Sequence, residues 1–526
     1  MGFTRKILKC SQPENEKIIE HDWLSNLPSD ILYHILSFLS VTEAMKTSLL
    51  SRKWRYIPDS APYLNFDFRD FWNQEHCLAL SYDECMIKFW SFVKWAFIIR
   101  DYSPIFRLRL HCDYFNAYQL QSLFCLCVVR NVQEVDIFSG YGVLRCPVYS
   151  FLHAHVDAFI QNVNSLVKFE NSMGFWNLKT LNLVGVHFPD ADIAKEVLSD
   201  CGVLENLFLE RCCFLMIKFL KISAKRLRNL NFVNDGPYWW GHMCMFQGEL
   251  ELRTPNLVSF YYSGPVIRLC QYSDMFFLKN ASIKLRNQNN PGGLSVDLGA
   301  MVSGIRHVEE LSVSPNFVLY FSPEFSRYGR KFSPFDSLRC LKIDMRGIVD
   351  HVEGLIKLLQ HSPNLEALCI QFIQPSRISH WKSREVDVPC LSHNLKEIEI
   401  AVCRDPVNFL ELIKFFLQNG KSLEKINITQ KEQRLNPEKF YALHEVQLAS
   451  EAVSVSISSA SPSGRKELIK LVYGKCGLSV VTKTGKSNIR IRRSIRIAAK
   501  KSARLVERKM RCASMNVGIQ TSRKTS

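Results

Sequence analysis

The chain has 526 residues, 47% of them hydrophobic and 12% aromatic, which is enough for a sizeable core and rules out a chain that is disordered throughout. The formal net charge of +17 sits almost wholly at one end: residues 465–526 hold 18 Lys and Arg against two acids, leaving 49 basic and 48 acidic groups elsewhere. A nearly neutral body with a basic tail argues against a nucleic-acid groove running across the fold.

Residues 1–21 begin MGFTRKILKCSQPENEK, with no long apolar run after the charges, so a secretory signal is not expected. Lys6 stands where a myristoylation motif needs Ser or Thr. This segment is expected to be a disordered tail, and the protein to stay inside the cell, in the nucleus or the cytoplasm or both.

Residues 22–62 divide into three short helices. In the first, Pro28 suits an early position and Asp30 the first turn. Ile31, Ile35, Phe38 and Leu39 then fall on one face, while Leu32 and Leu36 make a second stripe. Ser40 and Glu43 at capping-box spacing announce the second helix, running through Ala44, Thr47, Ser48 and Leu50, and Ser51 is placed to cap a third that carries Trp54. A unit of about 40 residues cannot hide this much apolar surface, so either the leftover stripe docks a partner or the adjoining segment covers it. That segment, 63–100, is expected to be a helical connector. Its run FWSFVKWAFII contains Lys94 and is too short for a membrane span of about 18 apolar residues, so a buried amphipathic helix is expected there.

After residue 130 the spacing L-x-x-L-x-L recurs with apolar substitutions, and the repeats are expected to occupy 101–379, with 380–460 ending the solenoid. The first triplets are Val132, Val135, Ile137; Leu178, Leu181, Leu183; Leu204, Leu207, Leu209; Leu227, Leu230, Phe232; and Leu257, Phe260, Tyr262. After a longer gap with a degenerate copy at Ile283 and Leu285 come Val308, Leu311, Val313; Leu338, Leu341, Ile343; Leu365, Leu368, Ile370; Leu395, Ile398, Ile400; and Leu423, Ile426, Ile428. The last five begin at steps of 30, 27, 30 and 28 residues. Each triplet reads as a strand whose last two members face one side.

Helix starts appear between the triplets at Asp190, at Asp350 with Glu353, and at Asp405 with Pro406, and Asn419 with Gly420 reads as a stop. Strand and helix at this period give an α/β leucine-rich-repeat solenoid, a parallel sheet with outer helices. Unrelated amphipathic segments in an ordinary α/β domain are the alternative. The irregular stretches 233–250 and 314–336 interrupt the period and could carry binding loops.

Residues 461–526 are expected to form a basic tail, disordered or partly helical. Within it Arg492 and Arg493 are separated by a short spacer from Lys500 and Lys501, compatible with a nuclear import signal. A solvated extension with no partner, or direct contact with nucleic acid or anionic lipid, would use the same charges.

Eighteen cysteines are scattered singly and mostly in apolar runs, as at Cys125 and Cys127, so buried reduced thiols are expected. There is no C-x-x-C, and Cys146 with His153 and His155 lacks a fourth ligand at zinc spacing, so no metal is expected. G-x-S-x-G, G-x-x-x-x-G-K and H-E-x-x-H are absent too, so neither a cofactor nor an enzyme is expected.

The run LPSDILYHILSFLSVTEAMKTSLLSRKWR resembles the F-box, matching it at Leu27, Pro28, Ile31, Ile35, Leu36, Ala44, Leu49, Leu50, Ser51, Arg52, Trp54 and Arg55. Most of the chain is similar to plant F-box proteins with leucine-rich repeats. Residues 380–460, with Trp381, VPCLSHNLKEIEI and FLQNGKSLEKINI, resemble their FBD region. Tyr56, Ile57 and Pro58 depart from the hydrophobic and Trp pair usual after the last Arg, Arg404 and Asp405 stand where a Gly is common, and the basic tail lies outside the family pattern.

The resemblance implies a substrate-recognition subunit of a cullin-based (SCF-type) ubiquitin ligase, in which the F-box docks on an SKP-family adaptor and through it a cullin, while the repeats hold an unidentified target protein. It further implies that Leu27, Pro28, Ile31, Ile35, Leu36, Leu50 and Trp54 contribute to the adaptor contact. Two other readings stay open: a nuclear binding protein whose tail contacts nucleic acid and whose F-box is vestigial, and a ligase receptor completed by a small molecule held near Tyr238, Trp239 and Trp240.

Overall fold

The computed structural model describes residues 24, 26–72, 80–113, 117–139, 177–188, 194, 198, 201–214, 217–235, 238–239, 242–243, 245–272, 275–286, 291–322, 333–345, 349–372, 386–402, 409–430, 449–450, 453–460, 466–474 and 477–483. The chain divides into two compact units, Met1–Val186 and His187–Ser526.

The first unit opens with α1 (Ser29–Leu36) and α2 (Val41–Thr47), then a 3-10 turn at Trp54–Tyr56 running into α3 (Ile57–Ser60). The expected capping box is present: the Ser40 amide donates to Glu43 Oε2 at 3.0 Å, and the Glu43 amide donates back to Ser40 Oγ at 3.4 Å. The second helix stops earlier than expected. Thr47 and Ser48 turn their hydroxyls onto the carbonyls of Ala44 and Met45, both at 2.6 Å, which leaves Leu49 and Leu50 in a turn. Ser51 Oγ accepts from the Trp54 amide at 3.4 Å, but the third piece begins as a 3-10 turn whose cap position is Lys53, with no side-chain capping bond.

The connector is not wholly helical. It begins with β1 (Tyr63–Asp67), followed by α4 (Phe68–Trp72) and α5 (Tyr82–Ile99). β1 pairs in parallel with β2 (Arg107–Cys112), because Leu64 and Phe66 alternate with polar neighbours and bury one face. After α6 (Ala117–Val129), β3 (Glu134–Ser139) and β4 (Thr180–Val184) extend the parallel sheet.

The second unit carries β5 (Asn206–Glu210), β6 (Phe219–Ser223), β7 (Asn229–Val233), the two-residue arms β8 (Tyr238–Trp239) and β9 (His242–Met243), β10 (Glu249–Arg253), β11 (Ser259–Gly264), β12 (Arg268–Tyr272) and β13 (Asn280–Leu285). It continues with α7 (Pro291–Gly304), β14 (Glu310–Val313), α8 (Pro315–Leu319), β15 (Cys340–Met345), α9 (Val349–Gln360), β16 (Ala367–Phe372), α10 (Pro389–His393), β17 (Glu397–Val402), α11 (Phe409–Asn419), β18 (Lys425–Gln430) and β19 (Val453–Ala460). β20 (Lys466–Gly474) and β21 (Gly477–Lys483) end it.

Its main sheet runs β5, β7, β11, β13 through β19 in parallel, each strand beside the next repeat's strand. Register keeps the triplets stacked: Leu341 faces Leu368, which faces Ile398, which faces Ile426. Every residue of the ten triplets is only 0–2% exposed. Burying a Leu or Ile side chain contributes about 1.5–3 kcal/mol, so the stacked columns are the main source of cohesion. The degenerate copy is a true strand, with Ile283 beside Val313.

Three findings correct the sequence reading. Where crossover helices are expected early in this unit, β6, β10 and β12 form a second parallel sheet. Leu220 with Ile222, and Leu250 with Leu252, repeat at period two, which suits strands and not helices. Asp350 falls inside α9 and not at its cap. The start of the basic tail is strand, since β20 and β21 add antiparallel strands to β19.

Asp190, Asp405, Pro406, Trp381, Arg404, Trp240, the Cys146, His153 and His155 group, and the import residues Arg492, Arg493, Lys500 and Lys501 lie outside the described residues. Among the described residues no helix is long and apolar enough to cross a membrane.

Candidate functional site

The short helices of the first unit make their own core. Leu32, Leu36, Ala44, Trp54, Ile57 and Ala61 cluster, with Leu27, Tyr33, Ile35 and Leu39 packed against them. Lys53 Nζ donates to the Leu27 carbonyl at 2.9 Å, tying the end of the module to its beginning.

With that core filled, the sequence-predicted contact residues separate. Leu36 and Trp54 are each 2% exposed and serve the internal core, so in the chain as it stands they offer no surface to a partner. Leu27 and Ile35 are half-buried, while Pro28, Ile31 and Leu50 are exposed. Leu49 and Leu50 are 86% and 66% exposed, Leu24 52% and Ile31 47%. These four exposed aliphatic side chains lie within one short stretch of the chain and are not used by the module's own core. Phe38 and Tyr56 are exposed as well, and neither was among the predicted contacts.

The two stripes of α1 explain the division. Leu32 and Leu36, one turn apart, face inward, and Ile31, Ile35 and Phe38 continue along the other side. Downstream segments cover part of the module: Leu36, Leu39, Val41 and Ala44 share a cleft with Pro58, Leu64, Ala96 and Arg100. Arg100 is 7% exposed, and its Nη1 donates to the Pro58 carbonyl at 3.2 Å. Its Nε and Nη2 have no hydrogen-bond partner among the described residues, and burial pushes the guanidinium pKa down.

The second unit offers a different surface. Residues between the buried triplet members point to the open face of the sheet, which is lined by Asn, Ser, Glu and Lys, with Tyr261 as an aromatic group. At β13 and its neighbours this face holds a hollow of about 190 Å³. Within the stretch 233–250, Asn234 and Phe246 are tied together. Asn234 Nδ2 donates to the Phe246 carbonyl and Asn234 Oδ1 accepts from the Phe246 amide, both at 2.8 Å. Gly264, at φ 151°, passes so close that a Cβ there would stand 2.8 Å from Asn234 Cβ. β8 holds Tyr238 and Trp239 in a short antiparallel pair with β9.

Chemistry-bearing groups are dispersed or buried. Among the described residues no three His, Cys, Asp or Glu side chains gather to hold a metal ion. Cys85, Cys112, Cys127, Cys201, Cys212, Cys213 and Cys390 are buried. Burial pushes the Cys390 thiol up to about 12 and Cys127 further, which disfavours the nucleophilic thiolate.

Comparison with known proteins agrees with both halves. The F-box domain model matches residues 24–65, and the At1g61320/AtMIF1 LRR domain model matches residues 97–460. The chain is 28% identical over 408 residues to the putative F-box/FBD/LRR-repeat protein At3g59240 of Arabidopsis thaliana, spanning 75% of this chain and 77% of that protein. It is 24% identical over 433 residues to the putative F-box/FBD/LRR-repeat protein At5g56810 of the same plant, spanning 79% and 91%. With the F-box/LRR-repeat protein At4g14096, also from Arabidopsis thaliana, identity is 27% over 409 residues, 75% of this chain and 81% of the other. A module with a finished core and an open apolar edge, followed by stacked triplet strands, and matched over most of its length by these proteins, places the chain in the plant F-box and leucine-rich-repeat family.

Proposed function

We propose that this protein is the target-recognition subunit of an SCF-type ubiquitin ligase, its F-box docking on an SKP-family adaptor and its repeats holding the target. The observation that carries the reading is the exposure of Leu24, Ile31, Leu49 and Leu50 on a module whose own core is already complete. The adaptor fills that edge, with Leu27, Pro28 and Ile35 bordering it. Binding of this kind lays an apolar helix face into a groove. The ligase chemistry happens on other subunits, and this chain acts as a tether that raises the target's effective concentration near them. The basic tail with Arg492, Arg493, Lys500 and Lys501 provides for nuclear entry.

The test is co-purification of the full chain and of a Leu27→Ala, Pro28→Ala double variant with an SKP-family adaptor. Retention by the intact chain and loss by the folded variant are expected. An intact, folded chain that holds no adaptor, beside a known F-box protein that does, would refute the proposal.

A further inference from the structure

Toward both ends of the second unit's open face, polar side chains are spent on one another. Asn229 Nδ2 donates to Asn206 Oδ1 at 2.7 Å. Lys425 Nζ and Asn427 Nδ2 donate to Glu397 Oε1 at 2.7 and 2.9 Å, and Ser456 Oγ donates to Asn427 Oδ1. Between them lies a hollow. Tyr261, Ser282, Ser312, Glu310 and Lys342 line it, and among the described residues their side chains make no hydrogen bond or ion pair.

Side-chain size makes the hollow. Tyr261, Ser282, Ser312 and Lys342 stand directly abreast on β11, β13, β14 and β15. Two serines thus separate two long side chains over three inter-strand steps, a width of roughly 14 Å at about 4.8 Å per step. Glu310 faces Cys340, two positions before Lys342, so Glu310 and Lys342 are diagonal neighbours with Cα atoms roughly 8 Å apart. They carry opposite charges without being paired.

We propose that this hollow binds an extended polypeptide segment bearing one acidic and one basic side chain two residues apart. Such side chains lie on the same side of an extended chain, roughly 7 Å apart, which matches the diagonal. The basic group meets Glu310 and the acidic group meets Lys342. The serine hydroxyls take main-chain amides, the small floor lets the backbone approach, and Tyr261 closes the far wall. One charge of each sign rules against a polyanion as occupant, and the unspent charges need break no bond to engage. The inference rests on reading the repeats as the target-holding part, and it names the chemistry they select.

The test uses the full-length chain against arrayed decapeptides with a fixed Lys-x-Glu, Glu-x-Lys, Lys-x-Lys, Glu-x-Glu or Ser-x-Ser in randomised flanks, with adaptor capture measured on the same preparation. Mixed-charge pairs are expected to be retained roughly fivefold over the others, as two partly exposed ion pairs allow. Glu310→Lys should turn the preference toward Glu-x-Glu and Lys342→Glu toward Lys-x-Lys. Glu399→Lys, on the same face beyond the hollow, should change nothing. All three residues are exposed, and thermal melting checks that each variant folds. Equal retention of all pairs, or a preference unmoved by both hollow variants or shifted by Glu399→Lys, overturns the proposal. Should that happen while the adaptor is still captured, the receptor reading stands and only the hollow's role falls.

Discussion

Ile31 and Leu32 are consecutive in the chain and opposite in the fold: Leu32 is wholly buried in the F-box core, and Ile31 stands 47% exposed beside it. A single helix therefore supplies the module's own core from one stripe and an exposed apolar edge from the next. The two roles can be separated by mutation.

Leu32→Ala is expected to destabilise the first unit by about 2–5 kcal/mol, the range for emptying a packed aliphatic site. Ile31→Asp and Leu50→Asp remove exposed groups and should leave the melting temperature nearly unchanged while abolishing adaptor capture. Thermal denaturation and adaptor pull-down on the same samples check this. Equal loss of stability in all three variants would mean that the exposed stripe is structural.

Arg100 brings a charge into the seam between the F-box helices and α5 with one hydrogen bond among the described residues, to Pro58 O. A buried charge so poorly satisfied stabilises little, and replacing it with an apolar side chain of similar length is often neutral or favourable. Arg100→Met should therefore melt at the same temperature as the wild type or a few degrees higher. Arg100→Ala, which opens the cleft, should melt lower. A marked loss in Arg100→Met would show that the guanidinium is better satisfied in solution than its single protein bond implies.

The repeat ladder was legible in the sequence because its signal is redundant. Leu341, Leu368, Ile398 and Ile426 each recur at nearly the same step, and register makes them one column. β1 was hidden because Leu64 and Phe66 form a single short alternation with aromatic helices on its C-terminal side. The outer strands β6, β10 and β12 were missed for a different reason. A repeat template supplies a helix wherever the chain crosses back, while Leu220 with Ile222 carries the opposite period locally. At the candidate site, family resemblance pointed to Leu36 and Trp54 as well as Leu50; the first two are buried and Leu50 is exposed, a difference set by tertiary packing. Position along a stripe is readable from a helix. Which stripe turns inward depends on α3 and on the segments that follow it.

Asp67 offers a test of the first unit's open face. Burial alone would raise its pKa, but the side chain and amide of Arg69 and the ring of His111 outweigh burial and hold the carboxyl below the usual carboxylate range. The contacts are close: Arg69 Nη2 lies 2.7 Å from Asp67 Oδ2, and His111 Nδ1 3.2 Å from Asp67 Oδ1. A carboxyl depressed in the folded state stabilises the fold above its unfolded value of about 3.9 and loses that contribution as pH falls through its lower folded value. Denaturant midpoints measured from pH 6 down to pH 2 should therefore decline below about pH 4, and Asp67→Asn should remove part of that decline while lowering stability near neutrality. A variant whose midpoint falls with pH as steeply as that of the wild type would show that the charge on Asp67 does not support this edge of the sheet.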